Sequence, residues 1–119
     1  MRRFLFLTTM LCLLVMNKEA EAHAFLLKSD PTVGATVAAP QTLRLEFSEA
    51  IELAFSGIDV TNGSGGAVPA RNVRLDSNDR KVLLADLPPL SAGAYRVKWH
   101  VVSVDTHRTE GDFAFSVKP

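Results

Sequence analysis

Sulfur is scarce in this chain. Of its 119 residues one is cysteine and three are methionine, and all four (Met1, Met10, Cys12 and Met16) stand in the first 22 positions. Those positions read as a secretory signal peptide: Met1-Arg2-Arg3 is the positive start, Phe4 to Met16 the apolar run, and Ala20-Glu21-Ala22 the small-x-small cleavage site. The apolar run falls short of the roughly 20 residues that a membrane-spanning helix needs, and the polar Asn17-Lys18-Glu19 follows it at once. The mature chain is therefore expected to begin at His23 and to insert in no membrane. It would contain no sulfur. That excludes a disulfide, a cysteine nucleophile and soft thiolate or thioether metal ligation, and leaves folding to the apolar core alone.

An excess of charge of either sign is also missing. The whole chain balances 13 Lys and Arg against 13 Asp and Glu, and residues 23–119 carry 10 against 11. No electrostatic footprint for nucleic acid or an anionic membrane results. Removing 22 of the 119 residues leaves 97, enough for one domain and too few for an elaborate two-domain enzyme. Helical periodicity is absent as well.

What is present is alternation with period two. Leu43, Leu45 and Phe47 alternate with Thr42, Arg44 and Glu46; Tyr95, Val97, Trp99 and Val101 with Arg96, Lys98 and His100; Phe113, Phe115 and Val117 with Asp112, Ala114 and Ser116. Each is the pattern of a strand with one buried and one wet face. Weaker strands are predicted over Phe25 to Lys28, Ser56 to Thr61, Asn72 to Leu75 and Lys81 to Ala85. Turn chemistry separates them at Asp30-Pro31, Asn62-Gly63, Ser64-Gly65-Gly66, Asp76 to Asp79, Pro88-Pro89 and Ala92-Gly93. About seven short strands with turns at this spacing predict an all-β fold, an immunoglobulin-like Greek-key β-sandwich, rather than a closed barrel.

All three histidines (His23, His100 and His107) lie beyond the cleavage site. Cleavage before His23 would place a free α-amine beside an imidazole on one residue, and the two nitrogens can close a six-membered chelate ring. Such a pair takes two adjacent corners of a square-planar site, the geometry that Cu(II) prefers, and Cu(II) tops the divalent affinity order. Asp105-Thr106-His107 follows the longest strand, and with an extended backbone residues 105 and 107 share a face. Their carboxylate and imidazole could fill the other two corners, although Asp-x-His alone also describes an ordinary turn with a solvated histidine. His100 falls on the wet face with Arg96 and Lys98, so it is expected to be solvated or supporting unless a bulge near Val101-Val102 re-aims the strand. Trp99 and Tyr95 read as core. Glu46, Glu49 and Glu52 read as the wet face and end of their strand, and Asp76, Asp79 and Asp86 as turn residues.

The chain resembles the CopC family of periplasmic copper-resistance proteins. The likeness rests on His23-Ala24-Phe25-Leu26, on Ser29-Asp30-Pro31 followed by Gly34, and on Leu43-Arg44-Leu45-Glu46-Phe47-Ser48-Glu49. It continues through Tyr95-Arg96-Val97-Lys98-Trp99, Val102-Ser103-Val104-Asp105-Thr106-His107, Gly111 and Phe115. The resemblance implies a seven-stranded sandwich holding one Cu(II) through the amine and ring of His23, with Asp105 and His107 as the remaining ligands. It also implies a carrier or buffer in the periplasm, not an enzyme, with an inner-membrane CopD-like transporter as partner. Some members add a Met-rich loop for Cu(I); here Asn62 to Pro69 contains no Met and the Cu(I) site is not expected. Two other readings compete. An N-terminal histidine chelate also supports oxygen chemistry in lytic polysaccharide monooxygenases, but an Asp ligand would close the position that oxygen needs. A metal-free immunoglobulin-like interaction module would make His23 an accident of cleavage.

Overall fold

Alternation in the sequence becomes alternation in burial. In a computed structural model that describes residues 23–119, Leu43, Leu45 and Phe47 point inward from one strand, Tyr95, Val97, Trp99 and Val101 from a second, and Phe113, Phe115 and Val117 from a third. The expected signal segment, 1–22, lies outside the described residues. The strands are β1 (Leu26–Asp30), β2 (Thr36–Val37), β3 (Thr42–Phe47), β4 (Gly57–Asn62), β5 (Ala67–Val68), β6 (Arg71–Asp76), β7 (Asp79–Asp86), β8 (Gly93–Val102) and β9 (Arg108–Val117). A 3-10 turn, Leu53–Phe55, precedes β4. All seven predicted strands are present. The two additional ones, β2 and β5, are two-residue pairings at the edges of one sheet, and β5 lies within the segment expected to be loop.

Two sheets face one another, with strand orders β1-β3-β7-β6 and β2-β9-β8-β4-β5. When the two short strands are set aside, the remaining seven, counted along the chain, stand in the orders 1-2-5-4 and 7-6-3. This is the immunoglobulin arrangement, in which the chain changes sheets between β3 and β4, returns between β5 and β6, and changes again between β7 and β8. Tyr95, near the start of β8, donates its hydroxyl hydrogen to the Ser91 carbonyl at 2.6 Å, the corner contact typical of that fold. The inner faces supply the core: Phe47 meets Trp99 edge-on at 5.1 Å between ring centroids, and Tyr95 stacks on Phe115 at 5.5 Å. Each large apolar side chain buried this way contributes about 1.5–3 kcal/mol. Trp99 fits because Gly111 stands opposite it on β9; a Cβ at Gly111 would lie 2.5 Å from the indole Cζ2.

The β8–β9 hairpin organises one pole. Its pairing runs without a slip from Gly93 opposite Val117 to Val102 opposite Arg108, so no bulge turns His100 inward. Residues 103–107 cap this hairpin. The segment after β3 comes to the same pole, where the Val104 N–H donates to the Ala50 carbonyl at 3.1 Å and the Glu52 N–H to the Val102 carbonyl at 2.8 Å.

Candidate metal centre

Residues 23–25, just ahead of β1, are tied to the sandwich by hydrogen bonds. Ala24 is fully buried in the core. Only a small side chain suits that position, and its burial fixes where the chain leaves the sandwich. Ser48, just past β3, accepts a hydrogen bond from the Phe25 N–H at 2.8 Å and donates its own hydroxyl hydrogen to the His23 carbonyl at 3.2 Å. Thr109, on β9, donates to the Ala24 carbonyl at 2.8 Å. His23 thereby sits half-buried at the pole that the hairpin cap occupies.

That cap is a turn, which corrects the expectation of an extended backbone through Asp105-Thr106-His107. Ser103 continues the inward alternation of β8 and is fully buried. Its N–H donates to the His107 carbonyl at 2.9 Å, and the Thr106 N–H donates back to the Ser103 carbonyl at 2.8 Å. Thr106 sits at φ 74°, in the left-handed region that a β-branched residue rarely adopts. The reversal at Thr106, not a strand pleat, is what brings the two side chains together: Asp105 Oδ2 lies 3.3 Å from His107 Nδ1. The buried Ser103 hydroxyl donates to the other carboxylate oxygen, Oδ1. This bond holds the Asp105 carboxyl below the ordinary carboxylate range; partial desolvation opposes the shift, and the hydrogen bond from His107 adds to it. The carboxylate is thus kept ionised, as a metal ligand must be. With Nδ1 of His107 turned toward Asp105, Nε2 is the ring nitrogen left for a metal.

The His23 and His107 rings meet, with centroids 5.0 Å apart and planes inclined at 65°. Two imidazoles bound to one metal at about 2.0–2.1 Å place their centroids roughly 4.5–6.5 Å apart, so the observed pair fits a shared ion. All three residues expected at the site therefore lie at one pole. They do not converge on one point: among the described residues no three His, Cys, Asp or Glu side chains form a metal cluster. The remaining expected donor, the amine of His23, is in the full-length chain part of the peptide bond to Ala22. His100 stays apart. It is half-buried on the outer face of its sheet, its ring laid over Gly57, where a Cβ would meet Cε1 at 2.7 Å.

Sequence reasoning missed the supporting hydroxyls. Ser103 was legible as the next inward position after Val101, whereas Ser48 and Thr109 act on backbone carbonyls and amides far away in sequence and leave no local pattern.

The profile of the family described as "CopC domain" matches residues 26–118. Protein YobA of Escherichia coli K12 is 42% identical over 99 residues, covering 82% of this chain and 80% of the relative. The crystal structure of PcoC, described as a methionine-rich copper resistance protein from Escherichia coli, superposes with a TM-score of 0.75 at 39% identity, covering 82% of this chain and all of that one. Copper transport protein CutJ of Bacillus subtilis is 30% identical over 110 residues; the match takes in 91% of this chain but only 20% of that protein.

Proposed function

The chain belongs to the CopC family of copper-resistance proteins, and from this premise we propose that its mature form carries one Cu(II) ion in the periplasm. The ligands in this reading are the α-amine and imidazole of His23, the carboxylate of Asp105 and the imidazole of His107. The observation that carries it is the meeting of the His23 and His107 rings at 5.0 Å, with Asp105 held against His107. These residues come from distant parts of the described chain, and none of the three side chains belongs to the buried apolar core.

Cu(II) rather than Cu(I) follows from the donor set. Amine, imidazole and carboxylate suit the tetragonal cupric ion, and residues 23–119 contain no sulfur for the cuprous one, unlike the methionine-rich PcoC. One carboxylate on a dication leaves a net positive charge, which is tolerable where Asp105 and His107 meet solvent. Four donors would fill the equatorial plane and leave oxygen no open corner, so the protein acts as a carrier or buffer and not as an oxidase. The partner in this reading is an inner-membrane CopD-like transporter that takes or supplies the copper; its support is that one fifth of CutJ, a longer copper transport protein, matches this chain.

The test is Cu(II) titration of protein beginning at His23, read by electron paramagnetic resonance, beside the same protein with one glycine added ahead of His23. The first should give a single tetragonal species at one ion per chain, and the second should lose it. An identical spectrum from both, or catalytic oxygen consumption with a reductant, would overturn the reading.

A further inference from the structure

A chain terminus usually frays, and a ligand carried on a frayed terminus must be ordered when the metal binds. Here the three residues that would follow a free amine are already tied, by one hydroxyl just past β3 and one on β9. Ser48 comes from the end of β3 and makes two bonds, accepting from the Phe25 N–H at 2.8 Å and donating to the His23 carbonyl at 3.2 Å. Thr109 comes from β9 and donates to the Ala24 carbonyl at 2.8 Å. Thr109 is also two residues from His107 on the same chain segment, so the strand that anchors the terminus leads directly from the ligand it must meet.

We propose that Ser48 and Thr109 are positioning residues for the metal site, fixing the His23 backbone against the Asp105–His107 turn before copper arrives. Neither hydroxyl would touch the ion. Their effect is on the distance between two half-sites that no covalent bond holds together locally: the amine-imidazole pair on the terminus and the carboxylate-imidazole pair on the hairpin cap. Ala24 supplies the floor of the clamp by being fully buried, and the two hydroxyls stop the segment from pivoting on it.

This inference rests on the four-donor site proposed above, and its test separates the two. Ser48→Ala, Thr109→Val and the double variant are made in protein beginning at His23, with Ser48→Thr and Thr109→Ser as conservative controls that keep a hydroxyl. In the copper-free proteins, amide hydrogen exchange at Ala24 and Phe25 should quicken in the variants without a hydroxyl, while core amides of β8 keep their protection. Competition against a chelator should show Cu(II) affinity falling by roughly fivefold to tenfold for each hydroxyl removed. The spectrum should move from the four-donor signal toward that of a His23 chelate alone, and the controls should restore both readouts. If the double variant is unfolded at the assay temperature, Thr109→Val alone decides the outcome. Unchanged affinity and spectrum in folded variants would overturn the positioning role while leaving the ligand set intact. Loss of the four-donor signal from the parent protein itself would instead overturn the ligand set.

Discussion

Thr106 is held at φ 74° between Asp105 and His107, the proposed ligands of the hairpin cap, and replacing it should separate stability from copper affinity. A non-glycine residue in the left-handed region costs about 1–2 kcal/mol. Thr106→Gly removes that cost but gives the unfolded chain more freedom, at about 0.5–1 kcal/mol. The side chain is exposed, so little packing is lost. The net should be a gain of about 0.5–1 kcal/mol, which for a domain of this size raises the melting temperature by about 2–8 °C. Thr106→Ala keeps the left-handed penalty and should leave the melting temperature nearly unchanged. Copper affinity should move the other way: a glycine lets Asp105 and His107 swing apart in the free protein, and the ordering lost must be restored on binding, weakening it by roughly twofold to fivefold. Calorimetric melts of the metal-free proteins and chelator competition for Cu(II) measure the two quantities separately. If Thr106→Gly melts no higher than Thr106→Ala, the turn is not strained and the argument fails.

Gly111→Ala should destabilise the fold by about 1–3 kcal/mol, because the new methyl meets an indole already wedged against Phe47. Trp99 is the only tryptophan, so its emission reports both the unfolding transition and any displacement of the ring; an unaltered midpoint in urea would contradict the packing described. At acid pH the Asp86 carboxylate matters. Its hydrogen bond from Asn72, with a second from Arg74, lowers its pKa from 3.8, so the stability it contributes is present above pH 3.8 and is lost as pH falls through the depressed folded-state value. Asp86→Asn should therefore flatten the decline in stability below pH 3.8 relative to the parent protein. Parallel pH–stability curves would show that the Asn72–Asp86–Arg74 contact contributes nothing.

Much of this molecule was legible because a strand buried on one face writes its burial into every second residue. β3, β8 and β9 carry three or four inward apolar positions each, and the alternation placed them correctly; the same period, extended by one step, reaches Ser103. β2 and β5 escaped because two residues hold no period. The candidate ligands were legible for a different reason: His23 and the Asp105–His107 pair are chemically conspicuous wherever they fold. Their approach to one pole rests on a different local geometry from the expected one, and among the described residues they form no three-residue cluster. An extended Asp-Thr-His would also set both side chains on one face, whereas the chain turns at a left-handed threonine, a conformation that threonine does not advertise. The hydroxyl clamp was invisible for a third reason, since a serine that bonds to a distant backbone looks like any other serine.

The direction of β9 has a practical consequence. The strand starts at Arg108 beside the hairpin cap and ends at Val117, where it pairs with Gly93 at the opposite pole, so the last residues of the chain emerge far from His23. The two ends of the domain are thus not equivalent as handles. Anything joined ahead of His23 would block the amine of the proposed site, while a tether at Pro119 leaves the His23 pole facing outward, available to whatever surface or protein is brought against it.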